Sequence, residues 1–209
     1  MGKKSYRGAG VMLFRYNRKY RRFEVLLGKR SIPRGYGKWA IVGGGMEGAD
    51  DGYEACAYRE FREETGVDLR ILLAKKLAVS KTDVPFFHWR TYMILTWGPC
   101  PALRPDRENL EFAWFPLEAV GRQNLWISLN REIRAFRKLV RKHALVIAYH
   151  TGMPFDDEKL LAAYRVLTQV KFRTRDTVAR RIREELNLDV REAVSLSRRL
   201  EKYYVESEI

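Results

Sequence analysis

Residues 45–67 read GMEGADDGYEACAYREFREETGV, and the run Arg59-Glu60-Phe61-Arg62-Glu63-Glu64-Thr65-Gly66-Val67 inside it decides how the chain is read. Glu60, Glu63 and Glu64 stand at i, i+3 and i+4, so a helix puts three carboxylates on one face. Like charges at that spacing repel by roughly 0.2–0.5 kcal/mol per pair, and a helix gains nothing by gathering them. A positive partner is therefore expected at that face. Ligands that are all carboxylate oxygens suit a hard divalent cation, Mg²⁺ or Mn²⁺. Arg59 faces Glu63 at i+4 and is placed to hold that carboxylate from behind the ligands.

The stretch carries its own start and stop signals. Asp50 and Asp51 are N-cap candidates, and acids at that end suit the helix dipole. Gly66 falls where a left-handed C-terminal cap belongs. Ala55, Cys56, Ala57, Phe61 and Val67 offer the small or apolar surface that packs. Upstream, Trp39-Ala40-Ile41-Val42 reads as a short apolar strand, followed by a loop of three glycines, Gly43, Gly44 and Gly45. Strand, glycine loop and carboxylate helix together bring backbone amides and a cation to a phosphate chain.

These residues resemble the Nudix box, Gly-x5-Glu-x7-Arg-Glu-U-x-Glu-Glu-x-Gly-U, where U is a bulky apolar residue. Gly45, Arg59, Glu60, Phe61, Glu63, Glu64, Gly66 and Val67 match at the required spacing. The first Glu of the box is Asp51, Val42 stands where many members carry proline, and Gly48-Ala49 loosens the usual Pro-Gly turn. The resemblance implies an α+β fold, the Nudix α/β/α sandwich with a mixed β-sheet over residues 1–150. It also implies a hydrolase of phosphorus anhydrides that uses Mg²⁺ or Mn²⁺ held by Glu60, Glu63 and Glu64.

The chain has 209 residues, 46% hydrophobic and 32% charged, enough for one core plus an appendage. It contains no apolar run long enough to span a bilayer and no secretory apolar core at its start, so no membrane partner is expected. Cys56 and Cys100 do not make a disulfide framework, which points to a reducing, cytoplasmic setting. The formal charge of +14 favours polyanionic company. The cations run along the whole chain, so a general attraction to phosphate is favoured over one dedicated nucleic-acid face.

In chain order, residues 6–16 and 23–29 read as paired strands after a basic turn at 17–22. Residues 30–38 form a Pro/Gly loop whose Arg30, Arg34 and Lys38 are candidates for substrate phosphates, and Trp39, Phe86, Phe87 and Trp89 are candidates for stacking a base. Residues 69–80 and 86–97 are rich in β-formers, with turn residues at 82–85. Residues 110–117 alternate toward a last strand and resemble the Glu-x-x-Trp-x-Pro-Leu segment late in many Nudix domains. Glu111 there, with Glu108 behind it, is the candidate for a further ligand or the general base, and the choice between Glu60 and Glu111 stays open. Residues 128–143 form an amphipathic helix with a basic stripe, Arg131, Arg134, Lys138 and Arg141.

Residues 151–209 read as a helical extension with helices at 160–167, 177–186 and 190–204. The turn Asn187-Leu188-Asp189 suits a helix-turn-helix or a dimerising module. Three functions follow. The first is a hydrolase of a nucleoside diphosphate linked to another group, with nucleoside triphosphates (oxidised ones included) or ADP-ribose-type compounds ahead. The others are a ligand-sensing regulator whose tail reads DNA, and a Nudix binding protein that has lost catalysis. The family resemblance also makes a homodimer an expected assembly.

Overall fold

The computed structural model describes residues 5–170 and 174–203, which divide into two units, Met1–Arg141 and Lys142–Ile209. Residues 1–4 of the chain start and Tyr204 at the end of the third expected tail helix lie outside the described residues. So do residues 171–173.

The first unit is built on β1 (Tyr6–Asn17), whose run from Gly8 to Phe14 is buried on both faces. A strand so apolar must be central, and β1 has partners on both edges. β6 (Phe87–Thr96) pairs with it in parallel along one edge. On the other edge its first half pairs antiparallel with β4 (Val42–Gly45) and its second half with β2 (Arg22–Arg30). β2 in turn carries β3 (Trp39–Ala40) and β7 (Asn109–Pro116), and β5 (Ala74–Val84) closes the far side against β6. The result is the expected mixed sheet, with seven strands.

The expected strand over residues 39–42 and the glycine loop after it are both corrected. Trp39–Ala40 pairs with β2, whereas Val42–Gly45 pairs with β1, so the three glycines lie in a strand. Glycine on both sides makes this possible. Gly43 and Gly45 face Gly10 and Gly8, and a Cβ at Gly43 would lie 2.3 Å from Gly10 Cα. Gly8 and Gly10 also pass beneath the Trp89 indole, which a Cβ at either would meet at 2.7 and 2.9 Å.

Side-chain alternation then sorts the two faces of the sheet. Ala9, Val11, Leu13, Leu26 and Val42 pack on Cys56, Ala57 and Phe61 of α1 (Gly52–Thr65). The opposite face receives α2 (Asn130–Lys142) through Phe136, stacked on Phe14 at 3.7 Å between centroids and edge-on to Phe23 at 5.3 Å. One helix on each side of a mixed sheet is the α/β/α sandwich. Thr82 and Asp83 belong to β5 rather than to a turn, and the chain reverses at Pro85-Phe86, where Phe86 takes a φ of 64°.

The second unit is helical: α3 (Ala144–Thr151), α4 (Glu158–Gln169), α5 (Arg175–Leu186) and α6 (Val190–Leu200). Three of these helices start on a side chain that caps its own backbone. Asp157 accepts from Leu160 N, Thr174 from Thr177 N and Asp189 from Glu192 N. Leu145, Leu160, Tyr164, Leu167, Val178, Ile182, Leu196 and Leu200 make the core. The division falls after Arg141 and not near residue 150, because α3 puts Leu145 into this second core. Among the described residues no helix is long and apolar enough to cross a membrane.

Phe136 is fully buried between two aromatic neighbours, so Phe136→Ala should destabilise the first unit by about 3–5 kcal/mol. All five tryptophans (39, 89, 97, 114 and 126) lie in that unit, so fluorescence-detected urea unfolding reads it alone. A loss below about 1 kcal/mol would show that α2 is not held by this contact.

Candidate active site

Helix α1 presents the site. Gly66 ends it as expected, at φ 74° with its N–H bonded to Arg62 O at 2.8 Å. Asp51 occupies the N-cap without a side-chain cap bond. The acid that matters is its neighbour. Arg59 Nε and Nη2 donate to Asp50 Oδ1 and Oδ2 at 2.9 and 3.0 Å, a two-pronged pair in which the Asp50 side chain is only 4% exposed. The box alignment sets Asp51 at its first Glu and leaves the Arg59 pairing unassigned. The structure gives it to Asp50, which also accepts Glu47 N at 2.8 Å and so ties the loop before the helix. The Arg59 guanidinium holds the Asp50 carboxyl below its usual range.

The same guanidinium reaches the carboxylate face. Arg59 Nη1 lies 3.0 Å from Glu60 Oε1 and 2.9 Å from Glu63 Oε2, and Nη2 donates to Gly45 O at 2.9 Å. Glu63 is half-exposed and Glu60 mostly covered. A Cβ at Gly44 would lie 2.5 Å from Glu60 Oε2, so the absence of a side chain there lets Glu60 press against the strand. Burial pushes the Glu60 carboxyl up, Arg59 opposes that, and the nearby charges of Glu63 and Glu108 add to it.

Glu64 is the buried member. Its Oε1 accepts Gly43 N at 2.9 Å and its Oε2 accepts the side-chain amide of Asn109. Burial pushes its carboxyl up to about 8, against the pull of those two hydrogen bonds and with help from the charges of Glu60 and Asp106.

Gly43, Gly44 and Gly45 are thus placed beside the carboxylates, but their backbone serves the fold more than a phosphate. Gly43 N is spent on Glu64, and Gly44 O and Gly45 O accept from Cys56 Sγ and Arg59. Arg30 and Lys38 come together on one residue that sequence reasoning missed, Trp126. Arg30 Cζ stands 5.2 Å and Lys38 Nζ 5.5 Å from its ring centroid. Trp39 lies edge-on to Phe115 at 4.7 Å, beside Lys29.

Glu111 is not gathered with the others. It pairs with Lys29 Nζ at 2.9 Å. It also alternates with Phe112, which packs in the α1-side core, so Glu111 points to the opposite face. Asn109 and Tyr6 were also missed. Tyr6 stacks on Phe87 at 5.5 Å, and the charges of Glu60 and Arg30 both act on its hydroxyl. Neither carried a signal in its own stretch, because both reach the site through strand pairing.

Among the described residues no three acids converge tightly enough to ligate one ion as they stand. The chemistry nevertheless fits a hard cation. Two carboxylate oxygens converge on one positive nitrogen, the third carboxyl is buried beside them, and every donor is oxygen.

The family model of the NUDIX domain matches residues 6–136, more than half of the chain. The chain belongs to the NUDIX family. No curated protein matches it. Among solved structures, a Caenorhabditis elegans Ap4A hydrolase in a binary complex aligns at 16% identity and TM-score 0.54, covering 66% of this chain and 98% of that one. The NUDIX domain of Shewanella oneidensis NrtR complexed with ADP ribose aligns at 20% identity and TM-score 0.52, covering 66% and 89%. A MutT/nudix family protein from Enterococcus faecalis aligns at 18% identity and TM-score 0.55, covering 97% of this chain and 83% of that one. At such identities the likeness is one of fold.

Two predictions follow from the geometry. Asp50→Ala strands the Arg59 guanidinium and should cost about 1–3 kcal/mol in fluorescence-detected unfolding, against about 0.5 or less for Asp51→Ala. In chelator, Glu64 takes up a proton on folding anywhere between its reference value of 4.5 and its folded value of about 8. The folded state binds more protons there, so this contribution to stability is full below the lower value and falls as pH rises through the upper one. Thermal unfolding should therefore drop between about pH 5 and pH 8, and Glu64→Gln should flatten that slope. A slope unchanged in Glu64→Gln would remove Glu64 as its source.

Proposed function

We propose that this NUDIX protein is a Mg²⁺- or Mn²⁺-dependent pyrophosphohydrolase of a nucleoside diphosphate linked to another group. Nucleoside triphosphates, oxidised ones included, and ADP-ribose-type compounds are the substrate classes. The observation that carries this reading is the meeting of Glu60 and Glu63 at one positive centre beside the buried Glu64. A protein that only recognises a ligand has no need of three gathered carboxylates, so the intact acidic face favours a hydrolase. Ap4A and ADP ribose, the nucleotides associated with two of the fold relatives, are both phosphoanhydride-linked and agree with the substrate class.

Glu60, Glu63 and Glu64 would hold the ion. When bound, a divalent cation neutralises phosphate oxygens and lowers the pKa of a water. The chain's own groups do the rest. Glu60, with its carboxyl pushed up by burial, takes the proton of the attacking water. Glu111 is paired with Lys29, so this reading gives that task to Glu60. Arg59 acts by position, keeping Glu60 and Glu63 turned to the same point. Arg30 and Lys38 are the cations for the leaving phosphates. Tyr6, Phe87 and Trp89 hold nearly parallel rings, 8° and 7° between neighbours, and give a base a face to stack on.

The test is a hydrolysis screen over nucleoside triphosphates, ADP-ribose and dinucleoside polyphosphates, with products identified by mass. Turnover should need Mg²⁺ or Mn²⁺, and Glu63→Gln or Glu64→Gln should lower kcat by about 100-fold or more with the fold intact. Glu111→Gln should stay within a few-fold of the parent. Full activity in both Glu63→Gln and Glu64→Gln, or turnover indifferent to chelator, would contradict the reading.

A further inference from the structure

The chain's positive charge is not evenly shared between its two units. Residues 1–141 carry 27 Lys and Arg against 15 Asp and Glu, a net of +12, whereas residues 142–209 carry 13 against 11. Much of the excess sits away from the glutamate site, in two places. One is the outer face of α2, where Arg134, Lys138 and Arg141 recur at i, i+4 and i+7 and span about 10 Å. All three are exposed, and the helix's single acid, Glu132, is buried against Ser80 and Arg131.

The other is the turn between β1 and β2, Arg18-Lys19-Tyr20-Arg21, closed by Tyr20 N donating to Asn17 Oδ1 at 3.2 Å. Buried Glu24 absorbs Arg15 and Arg22, so it leaves Lys19 and Arg21 uncompensated. Among the described residues no carboxylate pairs with Lys19, Arg21, Arg134, Lys138 or Arg141. Tyr20 stands 55% exposed, with Lys19 Nζ at 5.3 Å and Arg22 Cζ at 4.8 Å from its ring.

Both places are anchored on one aromatic cluster. α2 crosses the sheet from β5, where Arg131 donates to Ser80 and Thr82, to the β1–β2 pair, where Phe136 meets Phe14 and Phe23. The base of the hairpin joins the same aromatic cluster through Tyr16 and Phe23 at 5.1 Å. The cations of α2's last turns and those of the hairpin tip therefore belong to one end of the domain.

We propose that this end, α2's outer face with the tip 18–21, is a docking surface for single-stranded nucleic acid. A row of unpaired cations tracks a phosphate backbone, and an exposed tyrosine among cations gives an unpaired base a platform. A lipid surface fits less well. A helix that lies on a membrane shows large apolar side chains beside its cations, and no such residue of α2 is exposed. The helix-turn-helix-like tail, close to neutral, lacks the charge for that partner. This surface is separate from the glutamate site and does not depend on the hydrolase reading.

The test is fluorescence anisotropy of a labelled single-stranded RNA oligonucleotide with the full chain in chelator, repeated across salt concentrations. Five phosphate contacts give a slope of log K against log salt of about −3.5, and Arg134→Gln/Lys138→Gln/Arg141→Gln should reduce it by about 2. Tyr20→Ala should weaken RNA binding about tenfold while leaving heparin binding unchanged. Arg180→Gln/Arg183→Gln in the tail should change neither. Turnover of small nucleotides should be the same in all these variants, since none lies in the glutamate site. The proposal is overturned if RNA binding is absent or insensitive to salt, or if the triple α2 variant leaves its affinity and salt slope unchanged. Loss only with the tail variant, equal loss of heparin binding in Tyr20→Ala, or binding to phosphatidylserine vesicles without binding to RNA would overturn it as well.

Discussion

One guanidinium organises the glutamate site. Arg59 donates to Asp50 and to Gly45 O and lies against Glu60 and Glu63, so it fastens the loop before α1, the strand beside it and the acidic face at once. Three acids on two turns of a helix repel one another, and a single interior cation offsets part of that repulsion while fixing where the oxygens point. The burial of Glu64 adds the complementary constraint. A carboxyl kept away from water resists ionisation unless more positive charge arrives. Taken together, these groups form a face whose shape is held by Arg59 from within.

The glycines make this geometry sterically available. Glu60 can press on Gly44, and Gly43 can approach β1, only because neither carries a side chain. The acidic helix and the central strand thus meet at backbone distance, and Gly43 N is near enough to bond Glu64 directly. A phosphate cradle and a tight helix–strand joint call for the same glycines, so composition alone does not tell them apart. Here their amide and carbonyl groups go to the joint.

Much of this was legible in sequence wherever local periodicity carried the signal. The long strands, the α1 helix with its Gly66 stop, and amphipathic α2 all announce themselves through alternation or a 3.6-residue stripe. The misses have physical reasons. α3, Ala-Leu-Val-Ile-Ala-Tyr-His-Thr, is short and apolar all round, so it shows no stripe. Residues 39–45 divide between two strands because Ile41 leaves one pairing partner for another, which no local rule reports. Asp50 rather than its neighbour Asp51 meets Arg59, and nothing in the local sequence distinguishes the two acids. Asn109 lies 45 residues from Glu64 and reaches it through the pairing of β7 with β2. The charge contrast between the units was countable from the start, but it acquires meaning only once the boundary at 141 is known.

The account rests on Glu60, Glu63 and Glu64 forming a cation site with Arg59 as its internal brace. The most direct measurement is anomalous diffraction from crystals soaked in Mn²⁺. The account predicts a manganese peak against those three carboxylates, with Arg59 still bonded to Asp50. A manganese-free glutamate face, with Glu60 and Glu63 still closed on Arg59 at saturating Mn²⁺, would contradict it.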